Sequence, residues 1–391
     1  MTLAPTSSIL RRRTNVCLIV IFLALLWLPT LDTFLHFDHS APPGEKRQPP
    51  EFPKIKPGLG GLKEFITGLE AYFNDHFGCR KSLIRSYRTC RSRLFHDRKG
   101  YQSVVIGSDG WFYFTEDQMV EHYRGILSFT PDQLHDWQAL LEHQRDWLAQ
   151  RGIKFLFVVA PDKQSIYPEY LPSWMKKVGP ETKLDQFFAY MKAHSTVDVL
   201  DLRQTLREAR PLAPTYFKTD THWNQFGAFM AYQRLVKELA DQQLLRVEPL
   251  PLDAFERTNQ LAPPGDMTPF VGVDPLESNA VFFSPKPFAP HLEPITQKLP
   301  NHPETKGTRN PNALGSAVLY HDSFGDYWIP FLGYNFGQVY YLHNNRFKSQ
   351  FMDAKLLEQE KPTVVMVEVL ERLFNVANPK ELLAEEASKQ F

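Results

Sequence analysis

Short apolar runs alternate with amphipathic stretches through the centre of the chain, and this alternation constrains the fold more than any other feature. Three of the runs are IKFLFVVAP from Ile153, SAVLY from Ser316 and TVVMVEV from Thr363. Runs of this length without polar alternation are typical of strands that are buried on both faces. Helical patterns lie between the runs, near 131–151, 181–194 and 225–243. The sequence therefore predicts an α/β domain of three layers, with a parallel sheet between two layers of helices.

Local signals set the boundaries of several elements. Thr130, Pro131 and Gln133 have the pattern of a capping box with proline at the first helical position, and Gly152 is a stop signal. Asn224 is a helix-capping residue type directly before the helix near Gln225. Further predicted elements are a helical stretch over 62–95, a strand pair at 104–106 and 111–114, and a strand at 197–200.

Residues 248–315 interrupt the alternation. They are rich in proline, asparagine and threonine and have little periodicity. An irregular segment of this length in a compact domain is either functional or disordered. Because it precedes the apolar run that leads to Ser323, we expect it to form long loops that wall an active site.

The N-terminus carries an apolar segment behind three arginines, Arg11–Arg13. The thirteen residues Val16–Leu28 are all apolar and give about 20 Å of helix, whereas a bilayer core is about 30 Å thick. Extension to Leu31, with the arginines reaching the interface, brings the segment near spanning length. An uncleaved signal anchor and a cleavable signal peptide are the two interpretations, and the lack of a clear small-residue cleavage site favours the anchor.

This assignment divides the chain into three parts. Residues 1–38 form a cytoplasmic tip and the anchor, and residues 39–61 form a proline-rich linker. The arginines keep the N-terminus in the cytoplasm, so residues 62–391 are predicted to be an exported domain.

The composition argues against a nucleic-acid partner and allows one disulfide. Lys+Arg and Asp+Glu are equal at 44 each, so the chain has no basic stripe for nucleic acid. Cys17 lies in the apolar segment, which leaves Cys79 and Cys90 as a candidate disulfide in an oxidising compartment, or as two unpaired thiols. The histidines show no metal-ligand spacing, and the sequence predicts neither a metal site nor a cofactor.

Two polar clusters have the residue types of a nucleophilic site. Ser323, in HDSFG, follows an apolar strand and would lie at its carboxyl end, where open α/β sheets place their sites. A serine hydroxyl needs a base, and the base needs an orienting acid. In TDTHWNQFG, Asp220 and His222 are two positions apart, so their side chains would share one side of an extended segment. His321 is a rival base, but it should turn away from the serine.

The order of these blocks resembles the periplasmic alginate O-acetyltransferases of the AlgJ/AlgX type, which have an SGNH-hydrolase-like domain. The resemblance covers residues 62–373, and the blocks that carry it are YFNDHFGCRKSLI, VVIGSDGWFYF, FVVAPDKQSIYPEYLP, KTDTHWNQFGAF, PGDM, HDSFGDY and PTVVMVEVLER. It implies that Ser323 is the nucleophile, His222 the general base and Asp220 the orienting acid. In the same blocks, Lys163 is either a cleft residue or a surface lysine, and Trp223 either contacts a sugar ring or packs in the core.

The resemblance also implies a setting. It predicts an anchored protein of the bacterial inner membrane whose periplasmic domain acetylates an exported polysaccharide. The acetyl group would come from a partner of the membrane-bound O-acyltransferase type. Two alternatives stay open from the residues alone: an acetylesterase that uses the same three residues, and a non-catalytic polysaccharide-binding or assembly protein. The serine turn reads HDSF rather than the Gly-Asp-Ser of general SGNH hydrolases, so the second oxyanion donor is not identified.

Overall fold

A computed structural model describes most of the chain as two compact units. The described residues are 6–38, 50–55, 57–80, 82–83, 86–87, 103–244, 248–271, 277–286, 291–295, 305–343 and 352–388. One unit comprises residues 1–98 with 268–274, and the other comprises residues 99–267 with 275–391. Most of the predicted linker, 39–61, lies outside the described residues.

Both units contain α-helices, and in the larger unit the helices alternate with the strands. The α-helices whose bounds lie within the described residues are Thr6–Leu35, Leu59–His76, Met119–Tyr123, Pro131–Ala149, Lys163–Ile166, Lys183–His194, Arg203–Ala209, Gln225–Asp241, Thr268–Val271, Ile329–Leu332, Ala354–Glu360, Leu373–Val376 and Pro379–Ser388. Short 3-10 turns occur at Ser108–Gly110, Pro168–Tyr170, Leu252–Ala254, Gly325–Trp328 and Gly333–Asn335.

The first unit contains the N-terminal apolar helix. Residues Arg13–Leu35 form a stretch of 23 residues whose most apolar 18-residue window has mean hydropathy 2.2 and no buried residue. At about 1.5 Å per residue this stretch is long enough to cross a bilayer core. The predicted helical stretch over 62–95 is interrupted by a turn: one helix ends at His76, Cys79 has φ 57°, and the described residues Arg80, Ser82, Leu83, Ser86 and Tyr87 are helical again, while 88–95 lie outside the described residues. Cys90 lies outside the described residues, so the disulfide stays a prediction.

The second unit is built on a sheet of seven strands. The strands of the chain are β1 Val104–Ile106, β2 Phe112–Phe114, β3 Lys154–Ala160, β4 Val199–Asp201, β5 Phe255–Ala262, β6 Glu277–Pro285, β7 Glu293–Pro294, β8 Lys306–Arg309, β9 Ser316–His321, β10 Gln338–His343 and β11 Val364–Leu370. The order in the large sheet is β4-β3-β11-β9-β10-β8-β7.

The large sheet is mixed rather than purely parallel. Strands β4, β3, β11 and β9 pair in parallel, as the sequence predicts, and β10, which it does not predict, pairs in parallel with β9. Strands β8 and β7 add an antiparallel edge, so the prediction of a parallel sheet needs this correction. Antiparallel neighbours can be joined by short turns, whereas parallel neighbours need a crossover of a dozen or more residues.

The two faces of the sheet are covered by different sets of helices. One face packs alternate residues of the central strands against the helix Gln225–Asp241, with Leu156, Leu319 and Met366 among its buried side chains. The opposite face packs the intervening residues, such as Phe157 and Val367, against helices of the other layer. This three-layer arrangement is the predicted one.

Residues 248–315 are not the continuous loop that the sequence predicts. Strands β5 and β6 form an antiparallel hairpin between Phe255 and Pro285, and β7 and β8 extend the large sheet. The proline and asparagine content concealed strands that lie at an edge or outside the large sheet, where interrupted patterns are tolerated.

Candidate active site

The turn after β9 holds Ser323 at the carboxyl end of a central strand. The carboxylate of Asp322 accepts the backbone N–H of Phe324 at 2.9 Å and that of Leu370, on β11, also at 2.9 Å. The backbone N–H of Asp322 donates to Glu368 Oε2 at 3.1 Å. These bonds join the residues on both sides of Ser323 to the neighbouring strand and fix the turn.

The base loop, residues 218–224, lies before the helix Gln225–Asp241. Asp220 Oδ1 accepts the backbone N–H of His222 at 2.9 Å and lies 2.6 Å from His222 Nδ1. The carboxylate therefore reaches the ring by folding back over its own loop, as in an Asx turn. The expected extended segment is replaced by a bend, and only the bridge between Tyr216 and Trp223 is strand-like there.

The structure brings the three predicted side chains together. His222 Nε2 lies 2.7 Å from Ser323 Oγ, while its Nδ1 is held by Asp220. The side chains of Asp220 and His222 are 19% and 16% exposed, so the pair is shielded but reachable. An imidazole held in this way has one nitrogen directed at the hydroxyl whose proton it would accept.

The electrostatics keep Asp220 ionised. Burial raises the pKa of Asp220, but its hydrogen bonds and charge interaction with His222 and the backbone N–H of Asp266 outweigh burial and lower the pKa to about 2. His321, the rival base, is buried, and its Nδ1 lies 2.6 Å from the Asp322 carbonyl oxygen. Burial lowers the pKa of His321 to about 4. The carboxylate is therefore a permanent charge, and His321 is neutral near pH 7.

Lys163 lies in the structural support of the site rather than in its cleft. The side chain is buried, and Nζ donates to the carbonyl oxygens of Phe112 and Lys218 at 3.1 Å each and to that of Asp220. The ammonium thus joins β2 to the base loop. The predicted substrate contact does not fit this position.

Trp223 is fully buried, with 0% of its surface exposed. Its Nε1 donates to the carbonyl oxygen of Phe324 at 3.1 Å, and its ring packs against Phe324 and Trp328. Neither ring face is free for a sugar, so the predicted contact between Trp223 and substrate is wrong. Trp223 instead packs in the core, where it joins the base loop to the serine turn.

Asp266 is a member of the site that sequence reasoning missed. Its backbone N–H donates to Asp220 Oδ2 at 2.9 Å, and its carboxylate accepts the backbone N–H of Thr221 at 2.7 Å and the Thr221 hydroxyl at 2.8 Å. The sequence feature that could have identified Asp266 is the block PGDM, which contains it and lies within the segment expected to wall the site.

Asp220, His222 and Asp266 also form a group of potential metal ligands. Their ligand atoms lie within 4.8 Å of one another. His222 Nδ1 is held by Asp220, however, and both Asp266 carboxylate oxygens accept from Thr221. Hydrogen bonds within the site therefore account for this cluster without an ion.

Tyr327 covers one side of the imidazole. Its ring is stacked with the His222 ring at 5.6 Å between centroids, and the residue is half-buried. Burial raises the pKa of Tyr327, as do the nearby carboxylates of Asp220, Asp266 and Asp326. The tyrosine is a neutral, flat side chain at the rim of the site.

Comparison with known proteins identifies what the chain is similar to. Residues 104–289 match the family model described as the SGNH hydrolase-like domain of the acetyltransferase AlgX. The chain resembles the AlgJ/AlgX type. The predicted resemblance is thereby confirmed.

Two AlgJ-like relatives extend the match. The probable alginate O-acetylase AlgJ of Pseudomonas aeruginosa is 31% identical over 213 residues, which cover 53% of this chain and 50% of the relative. The corresponding protein of Pseudomonas syringae pv. tomato is 29% identical over 226 residues, which cover 57% of this chain and 54% of the relative. The chain thus spans about half the length of these curated relatives.

A solved structure shares the fold of this chain. Bacillus cereus PatB1, determined with a sulfonyl adduct, has 15% sequence identity and a TM-score of 0.51. The match covers 71% of this chain and 99% of PatB1. At this identity the likeness shows a shared fold.

Proposed function

We propose that the second unit is an O-acetyltransferase that moves an acetyl group onto a hydroxyl of an exported polysaccharide. The observation that carries the proposal is the continuous chain of contacts from Asp220 to His222 to Ser323, at 2.6 and 2.7 Å. Similarity to two probable alginate O-acetylases supports acetyl as the transferred group and a polysaccharide as the acceptor.

The first half of the reaction forms an acetyl-serine. Ser323 Oγ attacks the acetyl carbonyl carbon of the donor, and His222 Nε2 takes the hydroxyl proton. The resulting oxyanion collapses, and the donor leaving group departs with the proton from His222. Asp220 stays ionised and stabilises the imidazolium between these transfers. The backbone N–H of Ser323 is a candidate donor to the oxyanion.

The second half transfers the acetyl group to the acceptor. A sugar hydroxyl gives its proton to His222 and attacks the acetyl carbonyl carbon. When the new ester forms, Ser323 Oγ leaves and recovers a proton from His222. Atoms and charge balance over the cycle, and no cofactor is required.

The donor is proposed to be a membrane protein. Acetyl donors made in the cytoplasm do not cross a bilayer unaided, so a partner of the membrane-bound O-acyltransferase type would present the acetyl group on the outer side. The N-terminal apolar helix supports a single-pass anchor in the inner membrane with the domain in the periplasm.

Loss of the nucleophile tests the proposal. We expect Ser323→Ala to abolish acetylation of the exported polymer, whereas Ser128→Ala, at an exposed serine of the same unit, leaves the acetyl content unchanged. The measurement is the acetyl content of polymer from cells that express each variant at equal levels. Unchanged acetylation with Ser323→Ala would overturn the assignment.

The same site can pass the acetyl group to water, because its side chains are partly exposed. Incubation of the protein with a model acetyl ester, with and without oligosaccharide, separates transferase from acetylesterase. Acetylated oligosaccharide supports the transferase, and free acetate alone supports the esterase. A non-catalytic binding protein gives neither product.

A further inference from the structure

We propose that Glu368, buried beneath the serine turn, is a positioning residue that holds Ser323 in place through Asp322. This inference rests on the proposed role of Ser323 as nucleophile. Glu368 lies on β11, which pairs in parallel with β9 up to Val367 and Tyr320. The next residues along both strands therefore place Glu368 at the start of the serine turn.

Two hydrogen bonds join the turn to β11, and a third closes the turn on itself. Glu368 Oε2 accepts the backbone N–H of Asp322 at 3.1 Å. The Asp322 carboxylate then accepts the N–H of Leu370 at 2.9 Å and that of Phe324 at 2.9 Å. Asp322 and Phe324, the residues before and after Ser323, are thus both held by hydrogen bonds to the carboxyl groups of Glu368 and Asp322. Glu368 accepts the bond from Asp322.

A glutamate at position 368 would lower the stability of the fold if packing were its only role. Its residue surface is 0% exposed, and Oε1 makes no hydrogen bond of normal geometry within the described part of the chain, although the Gly325 N–H and the Asp322 carboxyl lie close enough to shift the pKa of Glu368. A buried carboxylate with an unpaired oxygen is strongly disfavoured, whereas the neutral acid is tolerated. A leucine could occupy such a site without that cost, but it would leave the Asp322 N–H without an acceptor.

The charges around the pair favour one proton on Glu368. Burial and the neighbouring Asp322 raise the pKa of Glu368 well above its usual range, and the backbone N–H groups of Asp322 and Gly325 do not offset this. Burial also raises the pKa of Asp322, but Arg372 and His222 favour its ionised form. The two N–H bonds that Asp322 accepts add to that preference. A neutral Glu368 and an ionised Asp322 therefore fit the observed bonds.

The proposal predicts that a neutral acceptor is sufficient. Glu368→Gln retains an oxygen for the Asp322 N–H, whereas Glu368→Leu removes it. The matched control is Glu386→Leu, at a buried glutamate that accepts from Gln144 at 2.9 Å on the opposite face of the sheet.

The main experiment measures how fast Ser323 reacts in the full-length protein. A serine-directed sulfonyl fluoride is the probe, and kcat and KM for a model acetyl ester are measured in parallel. We expect Glu368→Leu to slow labelling and kcat about tenfold or more with KM unchanged, because a small misplacement of a nucleophile has large effects on rate. Glu368→Gln and Glu386→Leu should stay within about twofold of the wild type.

Each outcome decides something. Wild-type labelling speed in Glu368→Leu would overturn the positioning role while leaving the proposed function intact. Equal loss in Glu368→Gln and Glu368→Leu would overturn the neutral-acceptor role. A wild-type protein that is not labelled at Ser323 would instead overturn the proposed function, and this inference with it.

Unfolding provides a readout that does not depend on an active Glu368→Leu variant. The raised pKa of Glu368 means that the folded state holds a proton that the unfolded state releases above its ordinary pKa near 4.5. The stability that this group contributes is present below that pH and is lost as pH rises towards the folded value. The midpoint of Glu368→Gln, relative to wild type, should therefore increase as pH rises above 4.5. A pH-independent difference would overturn the protonated state.

Discussion

Asp266 shows how a side chain that touches no reacting atom can shape the site. It holds Asp220 by its backbone N–H and Thr221 by its carboxylate, so it fixes the residues immediately before His222. We expect Asp266→Ala to lower kcat about tenfold with little change in KM, because the imidazole loses its fixed orientation.

The control for this prediction is Asp253→Ala, at an exposed aspartate of the same 248–315 segment. The measurement is turnover of a model acetyl ester by the full-length variants. A change in KM alone would show that Asp266 contacts substrate rather than positions the base loop.

At the scale of single residues, the sequence is informative about reactive groups and uninformative about exposure. Ser323 could be named because it follows a buried strand, and Asp220 and His222 because a serine nucleophile requires a base and an orienting acid. Lys163 and Trp223 lie in equally suggestive blocks, but burial decides their roles, and burial depends on what packs above them. Asp266 could not be identified because its partners lie 45 and 46 residues earlier in the chain.

At the scale of elements, the helix Gln225–Asp241 begins three residues after the base, His222. Asn224 accepts the N–H of Gly227 at 2.9 Å and donates to the Pro214 carbonyl oxygen at 2.7 Å. The predicted cap is thereby confirmed. Gly227 lies so close to the Thr215 backbone that a Cβ there would approach its carbonyl oxygen to 2.1 Å. The start of this helix is therefore fixed on both sides.

We expect Asn224→Ala to lower the free energy of unfolding by about 1–2 kcal/mol, because a helix cap is lost. Asn224→Asp retains the acceptor for Gly227 and should lose less. Chemical denaturation monitored by circular dichroism measures both, with Asn312→Ala at an exposed asparagine as the control. Equal loss in the two Asn224 variants would assign the effect to the bond with Pro214 instead.

The elements that the sequence predicts are those with strong local signals. The capping box at Thr130 and Gln133 is present, and Gly152 adopts φ 71° where the helix ends. Strands β3, β9 and β11 were predictable from their continuous apolar runs. Strand β10, QVYYLH, escaped because its polar ends and aromatic centre do not repeat with a clear period. The edge strands β7 and β8 depend on pairing between distant segments.

At the scale of the whole molecule, the described chain divides into a unit that contains the N-terminal helix and an α/β unit. The helix Thr6–Leu35 contains the apolar stretch Arg13–Leu35, which is long enough to span a bilayer. The arginines before it favour a cytoplasmic N-terminus, which would place the proposed acetyltransferase unit on the outer side of the membrane. An acetyl-accepting site on that side would meet both a membrane-borne donor and an exported polymer.

We therefore expect the mature protein to keep residues 1–38 and to resist extraction from membranes by alkaline carbonate. Two arginines at the centre of the helix, in Leu23→Arg with Leu26→Arg, should release the protein or block its export, since each costs about 2.5–3.5 kcal/mol at the bilayer centre. The control carries isoleucine at both positions and should remain membrane-bound. Mass spectrometry of the N-terminal peptide and immunoblots of the membrane fraction measure these outcomes. A mature N-terminus beyond residue 38, with protein in the soluble periplasmic fraction, would identify the segment as a cleaved signal peptide.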